Sequence, residues 1–142
     1  MSTKQDHVGA IPTGEAMKIL VTGDREWFDI KTIVDTLEQF PSGTILIHGA
    51  CRGADVTCAA VAEALGFIVK EYPAEWDRYL HGAGPIRNQL MITKEHRSDE
   101  PIDLCLAFHN NISQSRGTRD MMKRAEKANI TTRLITSLVL PP

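Results

Sequence analysis

The stretch Ile45–Asp55, I-L-I-H-G-A-C-R-G-A-D, decides the fold. A β-branched run ends at His48 in a turn with glycines at Gly49 and Gly53, and a helical pattern begins at once. Glycine lets a backbone approach a ligand closely, and the first amides of the following helix find no partner inside it. With the helix dipole added, such a junction is ready to receive a phosphate or carboxylate. A second junction of the same kind, Ser115–Asp120 (S-R-G-T-R-D), follows the run Leu104–Phe108. Two anion-ready strand ends in one small protein point to a nucleotide-like ligand.

Working outward, strand and helix signals alternate from Met17 onward. Lys18–Thr22, Thr44–His48, Phe67–Tyr72, Asp103–Phe108 and Thr132–Ile135 read as strands. Asp29 stands where a helix cap would, before Ile30, Ile33, Val34, Leu37 and Phe40 at helical spacing. Further helices are expected over Ala54–Leu65, stopped by Gly66, over Arg87–Glu95, and over Thr118–Ala128 with Thr118 as its cap. Pro73–Pro85 reads as a long connection, of the kind that is usually functional or disordered. Lys94–Glu100 reads as a solvated charged turn. Strands apolar throughout and separated by helices predict an α/β, Rossmann-like, doubly wound and mostly parallel five-stranded sheet with helices on both faces, its ligand at the C-terminal edge.

The 142 residues fit one domain over 17–142, after a polar tail, 1–16, expected to be mobile. That tail lacks the apolar core of a signal peptide, and no later run is long enough to span a bilayer, so a cytoplasmic protein is expected. Three scattered cysteines, Cys51, Cys58 and Cys105, form no C-x-x-C pair and read as reduced thiols. Five dispersed histidines complete no zinc spacing, so no metal site built on Cys or His is expected. A formal net charge of −2 gives no overall basic field to draw in nucleic acid.

Four motifs in order, T-G-D-R (Thr22–Arg25), H-G-A-C-R-G-A-D (His48–Asp55), A-G-P-I-R-N (Ala83–Asn88) and S-R-G-T-R-D-M (Ser115–Met121), together with Y-P-A-E-W (Tyr72–Trp76), resemble one family. The chain looks like the YspA-type, YpsA-related branch of the SLOG superfamily (Smf/DprA and LOG proteins), a group common in bacteria and their phages. The resemblance runs from about Met17 to Ile135. It implies a Rossmann-like fold that binds nucleotides or derivatives such as ADP-ribose, with activity ranging from phosphoribohydrolase to ligand sensing, and often a homodimer formed through the sheet-flanking helices. Hydrolytic LOG enzymes carry G-G-x-G-T-x-x-E. Here Gly117-Thr118 is followed at the glutamate's place by Met121, whose thioether cannot act as a general base.

The candidate ligand-binding residues are Gly23, Asp24, Arg25, Gly49, Ala50, Arg52, Gly53, Asp55, Pro85, Arg87, Asn88, Arg116, Gly117 and Thr118. Arg52, Arg87 and Arg116 sit beside glycine or proline, where three guanidinium groups could clamp a diphosphate or simply form surface ion pairs. Arg25 would contact ligand or pair with Asp24, and Asn88 would meet a base edge or start a helix. Asp55 and Asp120 lie in first helical turns, where an acid caps the helix or meets a ribose hydroxyl or Mg²⁺; no other cofactor is required. Asp120 is the carboxylate that could stand in for the absent glutamate. Trp76 could stack on a purine, but burial as a lid anchor is the expected role. His48, His109 and the pair Met121-Met122 are read as structural, and Cys51 as a thiol without a catalytic partner. Ala54–Leu65 offers either a core helix or a dimer interface. The leading expectation is a nucleotide-derivative-binding protein. An N-glycosidic-bond hydrolase is one alternative, and a DprA-like single-strand DNA-binding module is another, with the cluster Arg116, Arg119, Lys123, Arg124 and Lys127 as its basic patch.

Overall fold

The computed structural model describes residues 15–137, so most of the expected tail and the last five residues lie outside it. The strands are β1 (Lys18–Gly23), β2 (Ile45–His48), β3 (Ile68–Glu71), β4 (Leu104–Phe108) and β5 (Thr132–Ile135). The helices are α1 (Ile30–Leu37), α2 (Ala54–Ala64), α3 (Trp76–Tyr79), α4 (Ala83–Glu95) and α5 (Arg116–Lys127). The sheet runs β3-β2-β1-β4-β5, and each neighbouring pair is parallel, so the mostly parallel sheet of the sequence reading is parallel throughout.

Alternation along the strands sorts the core into two layers. Ile19 and Val21 of β1 and Leu104, Leu106 and Phe108 of β4 pack with Ile33 and Leu37 of α1 and with Ala54, Cys58 and Ala62 of α2. Leu20, Ile47 and Cys105 point the other way, onto Met91 and Ile92 of α4 and Met121 and Ala125 of α5. Trp27 closes the first layer edge-on to Phe108, ring centroids 5.6 Å apart, and its Nε1 donates to the Asp29 carbonyl. The chain builds β1, β2 and β3 in one direction, then returns through α4 to add β4 and β5 on the far side of β1. The sheet therefore reverses its winding between β1 and β4, where open α/β sheets leave a crevice. Among the described residues, no helix is long and apolar enough to cross a membrane.

Local signals explain most boundaries. Asp29 caps α1 as expected, accepting from the Thr32 amide at 3.0 Å. Phe40 lies past the end of α1 yet is still buried. The cap of α5 is Ser115 rather than Thr118: the Ser115 hydroxyl accepts the Thr118 amide at 3.0 Å. The expected long loop, Pro73–Pro85, instead holds α3, a 3₁₀ turn at Leu80–Gly82 and the start of α4. Gly84 and Pro85 sit in the first turn of α4, where a helix needs no amide donor, so residues that punctuate loops are tolerated there.

The turn Lys94–Glu100, expected to be solvated, hides a buried charge. Glu95 and Lys18 are about 5 % and 3 % exposed, and Lys18 Nζ meets Glu95 Oε1 at 3.1 Å and the Glu95 carbonyl at 2.6 Å. Lys70 and the Tyr72 hydroxyl complete the partners of the carboxylate. Burial, followed by the Glu95 contact, pushes the Tyr72 phenol up to about 12, so it remains the donor. This network fastens the last turn of α4 to β1 and β3. Glu95→Ala takes away the buried counter-charge of Lys18, leaving its ammonium only the more exposed Glu100 carboxylate at 3.3 Å, and is expected to cost about 3 kcal/mol in urea unfolding. Glu95→Gln, which keeps the hydrogen-bonding shape, is expected to cost less.

Candidate functional site

A cavity of about 690 Å³ opens at the C-terminal edge of the sheet, over the point where the winding reverses. Its volume suits a small metabolite. Its floor is the end of β1 (Val21–Gly23), and its walls are the β1 exit (Asp24–Glu26), the β2–α2 turn, the first turns of α4, and the β4–α5 junction. Of the residues singled out in the sequence, Gly23, Asp24, Arg25, Gly49, Arg52, Asp55, Pro85, Arg87, Asn88, Arg116, Gly117, Thr118 and Asp120 line it. Ala50 and Gly53 lie in the turn but outside the lining.

The β2–α2 turn is held by opposite charges from two helices. The Arg87 guanidinium, on α4, donates to the Gly49 carbonyl and to the Tyr72 carbonyl, and reaches Cys51 Sγ at 3.6 Å. From α2, Asp55 Oδ2 accepts the amides of Gly49 at 2.9 Å and Cys51 at 3.4 Å. The guanidinium lies so close that a Cβ on Gly49 would overlap it. Gly53, at φ +78°, brings its α-carbon against the carbonyls of Asp24 and Arg25, where a side chain would collide with backbone. Ala50 takes a left-handed φ of +61°, and its amide donates to His48 Nδ1 at 3.0 Å. The other side of the cavity repeats the device: His109 Nδ1 accepts the Asn111 amide at 2.9 Å. Each histidine thus holds its own turn through Nδ1; His109 also lines the cavity, and burial lowers the His48 pKa.

Several expectations change with this geometry. Arg87 and Asn88, expected at the very start of a helix, lie a turn inside α4 and are buried there, 8 % and 5 % exposed, because the helix begins four residues before Arg87. Arg52 is exposed and pairs with Glu26 at 2.9 Å. Asp24 accepts the Glu26 amide and lies 3.9 Å from His109 Nε2, with no ion pair to Arg25 among the described residues. Asp120 accepts from Arg124 Nε at 2.8 Å and Asn88 Nδ2 at 2.9 Å. Burial raises its carboxyl, but those two hydrogen bonds prevail and hold it below the ordinary range. Met121 is fully buried in the core, so the position of the LOG glutamate presents no carboxylate to the cavity.

Trp76 departs furthest from expectation. It is 47 % exposed rather than buried, because α3 is a single turn that buries none of its residues. Its ring edge faces Gly84 across the cavity rim. His81, Met91, Gln114 and Ser115 also line the cavity without having been singled out. Only Ser115 carried a sequence signal, a hydroxyl three residues before Thr118 at a helix start. Among the described residues, no group of three or more His, Cys, Asp or Glu side chains is placed to hold a metal ion.

The molecule is therefore a doubly wound, Rossmann-like protein with a metabolite-sized hollow at its switch point. The chain belongs to the YspA, cpYpsA-related SLOG family, whose family model matches residues 17–79. It is 34 % identical over 122 residues to the Gene 61 protein of Mycobacterium phage D29, an alignment covering 80 % of this chain and 91 % of that protein. No solved structure matches it significantly.

Burial pushes the Asp55 carboxyl up to about 6, against the pull of the Gly49 and Cys51 amides and of Arg87 and Arg25. Its ordinary value is 3.8, so the folded chain holds this proton more tightly than the unfolded one, and Asp55's contribution to stability declines as pH rises from about 4 to 6. The lowered carboxyls of Asp29, Glu95 and Asp120 act oppositely, losing stability as pH falls. The difference between wild type and Asp55→Asn isolates the effect. Urea unfolding between pH 4 and 7 is expected to show the variant gaining on wild type as pH rises, by about 3 kcal/mol at most.

Proposed function

We propose that the protein binds a nucleotide or nucleotide derivative in this cavity, with a phosphate at the N-terminus of α5. The observation that carries the reading is the open state of that helix end. The Arg116 and Gly117 amides have no protein acceptor among the described residues, and a Cβ on Gly117 would meet nothing within 4 Å. The exposed Arg116 side chain stands beside them. Open amides, a helix dipole and a guanidinium form an anion site. At the rim the half-exposed Trp76 offers a flat apolar face that a base can cover. The hollow is lined largely by polar and charged side chains, which suits a polar metabolite.

The N-glycosidic hydrolase alternative draws less support. A general base must be free to accept a proton, whereas Asp120 is held by Arg124 and Asn88 and lies below the ordinary carboxylate range. A second reading has one observation in its favour: Arg116, Arg119, Lys123 and Lys127 form an exposed basic stripe along α5. A gel shift of a short single-stranded oligonucleotide that weakens with salt would carry that reading instead.

Native mass spectrometry of freshly purified protein is expected to show a co-purified nucleotide, and calorimetric titration with AMP to show saturable binding. Gly117→Leu is expected to weaken AMP binding at least tenfold by filling the space before the helix end. It should leave the fold intact or firmer by about 0.5–1 kcal/mol, since glycine is a poor helix former. AMP affinity unchanged in this variant would overturn the placement of the phosphate.

A further inference from the structure

His48 and His109 use Nδ1 in the same way, each accepting the amide two residues on. They differ in what the far edge of the ring meets, since His109 lines the cavity and His48 does not. An Nδ1 that accepts an N–H carries no proton, so the ring proton of His109 is on Nε2. The His109 side chain is only 9 % exposed, yet this N–H makes no hydrogen bond among the described residues; Asp24 Oδ2 stands 3.9 Å away, beyond hydrogen-bond reach. The carboxylate is in a matching condition. Asp24 Oδ1 accepts the Glu26 amide, whereas Oδ2 accepts no hydrogen bond among the described residues.

Strand register builds this pair. Gly23 of β1 stands opposite Phe108 of β4, so the next residues out of the sheet are Asp24 and His109. Both backbones are pinned there. The Asp24 amide donates to the Phe108 carbonyl at 2.9 Å, and the Asp24 carbonyl accepts the amides of Ala54 at 3.0 Å and Trp27 at 3.2 Å. The His109 amide donates to the Ile135 carbonyl at 3.0 Å. A fixed donor and a fixed acceptor across a short gap suit a hydroxyl, which accepts from Nε2–H and donates to Oδ2. A phosphate oxygen would meet the N–H but be repelled by the carboxylate. A carbonyl or a ring nitrogen would leave Oδ2 without a donor, and an exocyclic amino group would leave Nε2–H without an acceptor.

We propose that Asp24 and His109 form a sugar-hydroxyl site, so that the cavity selects a ribonucleotide over its deoxy counterparts. The proposal deepens the nucleotide reading above and rests on it. It gives His109, read as structural in the sequence, a second task, and makes both residues specificity-determining. Their place agrees with the phosphate site: the β4–α5 junction begins at His109 and ends at the open α5 amides, so sugar and phosphate share one wall. A ligand without the hydroxyl leaves a sheltered N–H and a carboxylate oxygen unmatched, which is how a site built for a hydroxyl rejects the analogue that lacks it.

The test is calorimetric titration of the full chain with AMP, 2′-deoxy-AMP and 3′-deoxy-AMP. Wild type is expected to bind AMP at least about tenfold more tightly than one of the two deoxy compounds, which identifies the hydroxyl. Asp24→Asn keeps the side chain's shape and an acceptor for the Glu26 amide, but offers the hydroxyl an N–H in place of Oδ2. His109→Asn keeps an acceptor for the Asn111 amide, as asparagine does in turns, and withdraws the Nε2 donor. Each is expected to weaken AMP binding and to bring the ratio below about threefold. His48→Asn, the same exchange outside the cavity lining, is expected to keep the wild-type ratio. Thermal melts show which variants are folded, and either variant of the pair suffices. Equal binding of all three compounds to wild type overturns the proposal. So does a wild-type ratio in a folded Asp24 or His109 variant, or a narrowing as large in His48→Asn. If AMP itself does not bind, the nucleotide reading fails and this proposal falls with it, whereas AMP binding without discrimination leaves that reading standing.

Discussion

Gly49 is gripped at both of its backbone groups by buried, opposite charges: its carbonyl by the Arg87 guanidinium, its amide by the Asp55 carboxylate. The two side chains come from helices on opposite faces of the sheet, α4 and α2, and meet over the end of β2. Each charge is costly to bury alone, and each is made tolerable by backbone partners and by the other. This clasp sets the height of the cavity wall, fixes where α4 begins relative to the sheet, and leaves no space for a side chain at Gly49. Arg87 can fill this role only because α4 starts at Ala83, one turn earlier than its proline and glycines would indicate.

The clasp is one of several charge pairings around the cavity. Most of these charges are matched within the protein: Asp55 with Arg87 and the turn amides, Arg52 with Glu26 and, on α5, Asp120 with Arg124. At the start of α5 the exposed Arg116 and the amides of Arg116 and Gly117 have no acceptor among the described residues. Net charge therefore describes this protein poorly, while the pairing of its charges describes it well.

The parallel sheet, its element order and its ligand edge were legible in the sequence because Lys18–Thr22, Thr44–His48 and Leu104–Phe108 are compact apolar runs ending at glycine or histidine turns. Asp29 was legible as a cap for a local reason, its spacing from Ile30 and Thr32. The gathering of Gly23, Gly49, Arg87 and Gly117 around one hollow follows from strand order, since the turns after β1, β2 and β4 share an edge. What escaped was non-local. Nothing near Glu95 in sequence announces Lys18, which lies 77 residues away. Nothing near Trp76 shows that α3 is too short to bury an indole. The role of Asp55 was ambiguous for the same reason: an acid in a first turn looks like a dipole partner, and only the bent path of Gly49–Gly53 turns its carboxylate back onto the preceding amides.

The two tryptophans divide between the interior and the cavity rim. Trp27 is sealed against Phe108 with its nitrogen satisfied, whereas Trp76 is half open to water beside the hollow. Their emission should separate accordingly: a blue component shielded from iodide and a red one that iodide quenches. The chain thus carries its own optical reporter, in which the first indole registers loss of the folded core and the second registers whatever settles on the rim.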